Sequence, residues 1–118
     1  MSDKFAETYE LKKLKIDGTH LCASLFIPEN LVFFDGHFED FPILPGVTQL
    51  HWAISLSCEH LGVNGFFTSI NLLKFKKIIQ PNSIVQLNAT YYQAKNMIHF
   101  IYSSSAGQHS IGKVKFSL

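Results

Sequence analysis

The stretch Phe33-Phe34-Asp35-Gly36-His37-Phe38-Glu39-Asp40-Phe41-Pro42-Ile43-Leu44-Pro45-Gly46-Val47-Thr48-Gln49-Leu50-His51-Trp52-Ala53-Ile54-Ser55-Leu56 decides how the rest of the chain is read. Its first half is a loop. Gly36 permits a sharp turn beside His37. Pro42 and Pro45 each fix a φ angle and push the preceding residue toward an extended conformation. Such a loop is stiff enough to aim a side chain. The second half is a helix opened by Pro45-Gly46, because proline is well tolerated in a first turn, where its missing N–H costs little. Val47, Leu50, Ile54, Cys58 and Leu61 trace one apolar face, and Trp52, Ala53 and Leu56 fill much of the remainder, which predicts a buried helix. Cys58 reads as a small buried hydrophobe. The first amides, at Gly46 and Val47, point outward at the positive end of the helix dipole and offer donors to a carbonyl oxygen or oxyanion.

Around this stretch the chain is long enough for one domain, 1–118, with a single sizeable core. The formal net charge of +1 leaves no basic field for nucleic acid, and no apolar run is long enough to span a bilayer. The polar, mixed-charge start of the chain shows no signal-peptide pattern. Two cysteines, Cys22 and Cys58, make no disulfide framework and no C-x-x-C pair, so a reducing cytoplasm is expected. The six histidines show no close ligand spacing, and neither a metal nor another cofactor is expected.

Before the central stretch, Tyr9 to Ile16 and Thr19 to Ile27 read as strands joined at Asp17-Gly18, a strong hairpin signal. Pro28-Glu29-Asn30 breaks the second, and Leu31 to Phe34 reads as a short extended lead into the loop. The helix runs from about Gly46 to Leu61, with Gly62 as its stop. Asn64-Gly65 turns the chain into a strand from Phe66 to Phe75. Strands follow at Ile84 to Gln93, Met97 to Ser103 and Ser110 to Phe116, with a polar loop at Ser104 to Gln108. Hairpin, one buried helix and antiparallel meander give an α+β protein, an antiparallel β-sheet wrapped around one long central α-helix. A sheet edge left open by this arrangement is a place for a second copy to pair.

Gly36-His37-Phe38 followed by Pro42-Ile43-Leu44-Pro45-Gly46-Val47 resembles the active-site signature of the hot-dog-fold 3-hydroxyacyl-[acyl-carrier-protein] dehydratases, which reads G-H-F-P-x-x-P-(I/V)-(M/L)-P-G-V. Ile70-Asn71-Leu72-Leu73-Lys74-Phe75-Lys76-Lys77 to Pro81-Asn82-Ser83 resembles the same family's R-F-K-x-x-V-x-P-G-D strand and turn. The resemblance covers roughly residues 30 to 118, and its central motif is long and fixed in spacing. The helix, Pro-Gly-Val-x-Gln-Leu-x-Trp-Ala, is similar to that of the branch working in aryl-polyene-type pathways. The resemblance implies a hot-dog fold, a dimer or a multiple of dimers with composite sites, and a 3-hydroxyacyl thioester carried on acyl carrier protein. By resemblance, His37 is the base, the Gly46 amide is the carbonyl donor, and Val47 and Phe38 line the substrate. The chemistry needs a base for the C2 proton, an acid for the leaving hydroxyl and donors on the thioester carbonyl.

Two departures stand out. The family places a Glu or Asp fourteen positions after the histidine, reaching across from the other subunit; here that position is His51. No carboxylate replaces it before Glu59, about 12 Å further along the helix axis. Either His51 serves as the acid, for which its unperturbed pKa of about 6.5 is suited, or the pair is broken; burial would lower that pKa and weaken it as an acid. Glu39-Asp40 stands where the family has proline and glycine, adding negative charge beside His37. Three functions therefore stay open: a dehydratase, a hot-dog thioesterase with only Gln49 or Glu59 to direct water, and a non-catalytic acyl-binding subunit, including a heteromer with a related active chain. Lys12, Lys13 and Lys15, with Lys74, Lys76 and Lys77, offer an acidic carrier protein electrostatic steering, though solvated strand faces account for them equally. Phe33, Phe34, Phe38, Phe41, Phe66 and Phe67 are candidates for an acyl tunnel or for core. His20, His60, His99 and His109 read as ordinary polar positions.

Overall fold

A computed structural model describes residues 8–31 and 43–118. The elements are β1 (Glu10–Asp17), β2 (His20–Ile27), α1 (Gly46–His60), β3 (Phe66–Phe75), β4 (Ser83–Tyr92), β5 (Met97–Ser104) and β6 (Gly107–Ser117). Six strands form one sheet in the order β1-β2-β4-β5-β6-β3, with every neighbouring pair antiparallel. Helix α1 lies across the middle strands β4 and β5. No helix of the described residues is long and apolar enough to cross a membrane.

The strands follow from alternation. In β2, Leu21, Ala23, Leu25 and Ile27 are fully buried, while the residues between them are only partly covered. Val85, Leu87, Ala89 and Tyr91 repeat the pattern in β4, and Ile98, Phe100 and Tyr102 in β5. A period of two places each set on the face that α1 covers. Gly18, at φ +62, closes the first hairpin as the Asp-Gly signal predicts.

Pairing register stacks these residues into rows across the sheet. One row runs Leu21, Ala89, Phe100, Gly112, Leu73. There the bulk of Phe100 requires that its neighbour have no side chain, since a Cβ at Gly112 would overlap the ring. The next row runs Ala23, Leu87, Tyr102, Ser110, Phe75. It lies under the start of α1 and supplies the polar groups described below.

Three expectations change. The meander comprises only β4, β5 and β6; β3 crosses to the far edge and pairs β6. The expected loop at Ser104 to Gln108 shrinks to a tight turn, because β6 begins at Gly107. The buried helical face is Thr48, Gln49, Leu50, Trp52, Ala53, Leu56 and Ser57, not the stripe through Val47 and Cys58. Val47 is 73% exposed, and Cys58 is exposed as well. Polar residues stand on both sides of α1, with Thr48, Gln49 and Ser57 buried and His51, Ser55 and Glu59 exposed, so polarity marks its sheet-facing side only weakly, and fit to the β4–β5 surface chooses it. Trp52 is held on that side by an edge-to-face contact with Tyr9, ring centroids 4.9 Å apart. The short extended lead at Leu31 to Phe34 and the loop through His37 and Phe38 lie, beyond Leu31, outside the described residues.

Candidate active site at the start of the helix

Pro45, with φ −61 and ψ 146, delivers the chain into α1 in an extended conformation. The amides of Thr48 and Gln49 both donate to the Pro45 carbonyl. Gly46 and Val47 are left with amides that have no partner among the described residues. They are the donors that a helix N-terminus leaves free, and no side chain caps them.

Beside them lies a cavity of about 250 Å³, lined by Ile43, Leu44, Gly46, Gln49, Phe75 and the segment Lys76 to Ile78. The Phe75 ring covers Gly46 so closely that a Cβ there would overlap it. Any larger residue at this position would have to displace the half-exposed Phe75 ring, and with it the cavity wall. β6 ties down the far wall, where the His109 carbonyl accepts the amides of Lys76 and Lys77, and that wall holds Leu44 in turn, whose amide donates to the Ile79 carbonyl at 2.8 Å.

His109 departs from the expectation of an ordinary polar position. It is buried, its Nδ1 contacts the Ile78 carbonyl at 3.0 Å, and its Nε2 contacts Ser104 Oγ at 2.6 Å. A carbonyl can only accept, so Nδ1 carries a proton and donates to it, and in the neutral ring Nε2 is then the acceptor for the Ser104 hydroxyl. A register shift between Tyr102 and Ser103 makes His109 the extra residue of a bulge, which lets both His109 and Ser110 face inward. Sequence alternation carries no sign of such a bulge.

The expected site residues divide. Gly46 lines the cavity. Val47 and His51 do not; they share the exposed stripe of α1 with Ser55 and Cys58. His51 sits one turn beyond Val47, about 6 Å along the axis, on the side turned away from the sheet. His37 and Phe38 lie outside the described residues. The two lysine groups expected to steer a partner do not form one patch, because β1 and β3 are opposite edges of the sheet. Lys12 pairs with Glu10 at 3.0 Å and lies over the Phe26 ring. Only Lys76 and Lys77 stand at the cavity, where their ammonium groups donate to Gln108 Oε1 and to the Ala106 carbonyl. Among the described residues no group of three metal-binding side chains converges.

Sequence reasoning missed the polar floor of the cavity. Gln49, weighed only as a director of water, is 3% exposed and engaged with Leu44, Ser110 and Tyr102. Burial raises the Tyr102 phenol well above its ordinary pKa, and Tyr9 adds to the shift, so the phenol stays a donor. The legible signal was a glutamine in the first turns of α1, one residue before Leu50 and three before Trp52.

Comparison with known proteins gives a consistent result. The family model for ApeI dehydratase, described as ApeI-like, matches residues 13–113. The 3-hydroxyacyl-[acyl-carrier-protein] dehydratase FabZ of Streptococcus pyogenes serotype M1 is 29% identical over 92 residues, which cover 72% of this chain and 66% of that protein. This chain thus spans just under two thirds of that relative. In structure it is similar to a chain of the dehydratase heterocomplex ApeI:P from Xenorhabdus doucetiae, with TM-score 0.88 and 26% identity over 94% of this chain and 99% of that one. An uncharacterized protein from Erwinia carotovora gives TM-score 0.79 and 27% identity over 96% and 97%. A hypothetical thioesterase from Streptococcus pneumoniae shares the fold, with TM-score 0.64 and 13% identity over 95% and 90%. These relatives bear out the hot-dog fold.

Proposed function

We propose, from the premise that this chain belongs to the ApeI-like dehydratase family, that it removes water from 3-hydroxyacyl thioesters presented by acyl carrier protein and leaves a trans-2-enoyl thioester. The observation that carries this reading is the pair of amides at Gly46 and Val47, without a partner among the described residues, beside a largely apolar cavity. Donors held where an enolate oxygen develops lower the barrier to removing the C2 proton. His37 takes that proton. Electrons of the C2–H bond form the double bond, the C3–O bond breaks, and the hydroxyl leaves as water with a proton from His51. Phe38 and Val47 line the acyl chain. The aryl-polyene resemblance makes unsaturated 3-hydroxyacyl chains the favoured class. The free thiols Cys22 and Cys58 fit a reducing cytoplasm.

His51 faces outward, away from the cavity of its own chain, which suits a group serving the site of an adjoining chain. β3, an edge strand with exposed Phe66, Phe67, Ile70 and Phe75, offers the pairing edge. The test is incubation with 3-hydroxyacyl carrier proteins of several chain lengths, read by mass as loss of water. His37→Ala is expected to lower the rate at least about 100-fold, and full turnover by that variant rejects the mechanism.

A second reading is a subunit that works beside a related dehydratase. It is favoured by histidine in place of the usual carboxylate, and by the similar structure being that of a heterocomplex. Carrier-protein binding without chemistry, with turnover restored by a related chain, would support it. The thioesterase reading loses Gln49, whose amide is already committed at both ends, and keeps only Glu59, exposed near the far end of α1.

A further inference from the structure

We propose that Gln49 is a positioning residue for the dehydration site: its buried amide braces the Leu44 carbonyl against Ser110 of β6 and so fixes the direction of the Gly46 and Val47 amides. The inference rests on the dehydratase reading and adds a residue to it. Gln49 occupies the fourth position of α1, on the face toward the sheet, and is almost fully buried. A buried amide is costly unless its polar atoms are paired. Nε2 donates to the Leu44 carbonyl at 3.3 Å, and Oε1 accepts from Ser110 Oγ at 2.8 Å. The orientation is chemically fixed, because the Leu44 carbonyl can only accept and must face the NH₂. The backbone carbonyl of Gln49 also accepts from Tyr102 Oη at 2.7 Å. Tyr102 and Ser110 are directly paired in the sheet, so one row anchors the residue twice.

The lever is short. Between the Leu44 carbonyl and the Gly46 amide stands only Pro45, whose ring locks φ. Leu44 is held from both sides, by its amide to Ile79 and by its carbonyl to Gln49. Turning that carbonyl swings the peptide planes carrying the Gly46 and Val47 N–H groups. Oxyanion donors act only when aimed at the position of the developing charge, so a small rotation costs rate and leaves ground-state affinity largely unchanged.

Three variants test this. Gln49→Met keeps the volume and removes both hydrogen bonds. Gln49→Glu keeps the acceptor for Ser110 but offers the Leu44 carbonyl a donor only when its carboxyl is protonated. Ile98→Val, a core change elsewhere on β5, is the control for lost stability. At a temperature where all are folded, Gln49→Met is expected to lower kcat about ten-fold or more with KM within about two-fold, while Ile98→Val keeps both. Activity of Gln49→Glu relative to the parent is expected to rise as pH falls through the titration of the new carboxyl. Hydrogen exchange of a peptide spanning 44–50 is expected to speed up in Gln49→Met, with the peptide spanning 53–60 unchanged. Unchanged exchange at 44–50 overturns the proposal whatever the turnover, and faster exchange with unaltered kcat overturns the role in chemistry. If the parent itself fails to dehydrate, the functional reading falls, and the exchange measurement still decides whether Gln49 holds the helix start.

Discussion

Replacing Gly112 by alanine sets one methyl group against a ring that has nowhere to go. Gly112 is not among the glycines with positive φ, so its backbone accepts alanine. Without packing, the exchange in a strand interior would gain about 0.5–1 kcal/mol. The new Cβ, however, would stand 3.1 Å from Phe100 Cδ2 and closer still to Cε2 and Cζ, where carbon atoms prefer about 3.5–4.0 Å. Phe100 is 1% exposed and makes an edge-to-face contact with Tyr102, ring centroids 5.9 Å apart, so it has no free direction in which to retreat. Overpacking of this kind costs about 1–3 kcal/mol. With the ring so enclosed we expect a net loss near the upper end, about 2 kcal/mol, or about 8 °C in Tm for a domain of this size. Thermal melts at one fixed protein concentration measure it. Phe100→Leu made on top of Gly112→Ala should lose less than the two single changes added together. A melting point for Gly112→Ala within about 2 °C of the parent would refute the reasoning.

Gly46→Ala is the companion case: a Cβ there overlaps the Phe75 ring as severely, but Phe75 is 51% exposed and can swing away. Its Tm should stay close to the parent while dehydration slows about ten-fold as the cavity wall shifts; a melting loss larger than that of Gly112→Ala would contradict the account. Ser57 is fully buried, and its hydroxyl has no partner among the described residues, so Ser57→Ala should raise stability by about 1 kcal/mol in urea unfolding, and a loss would show an unrecognised partner. His99 is held below its ordinary pKa by partial burial and then by the ammonium groups of Lys113 and Lys95. On acidification the unfolded chain takes that proton first, so stability is intact above about pH 6.5 and is lost as pH falls toward the lower native value. The melting temperature should therefore drop less between pH 7 and 5 in His99→Gln than in the parent, and parallel curves would refute the assignment.

The sequence alone determined the strands, the helix and the family. Strict alternation, Asp17-Gly18 and the Pro-Gly opening are local signals, each written within a few residues. The Gly36-His37-Phe38 to Val47 motif is local too, which is why the hot-dog dehydratase resemblance could be drawn from it. Tertiary structure decided which side of α1 is buried, because polar residues stand on both sides: Thr48, Gln49 and Ser57 turn to the sheet, while His51, Ser55 and Glu59 turn to solvent. It also decided that β3 lies at the far edge, and that His109 and Ser110 both turn inward at a bulge. Above all, it brought Gln49, Tyr102, Ser110 and Phe75 together at the start of the helix. Those contacts join residues far apart along the chain, and their geometry is set by strand register and by competition for space, quantities that no local pattern encodes.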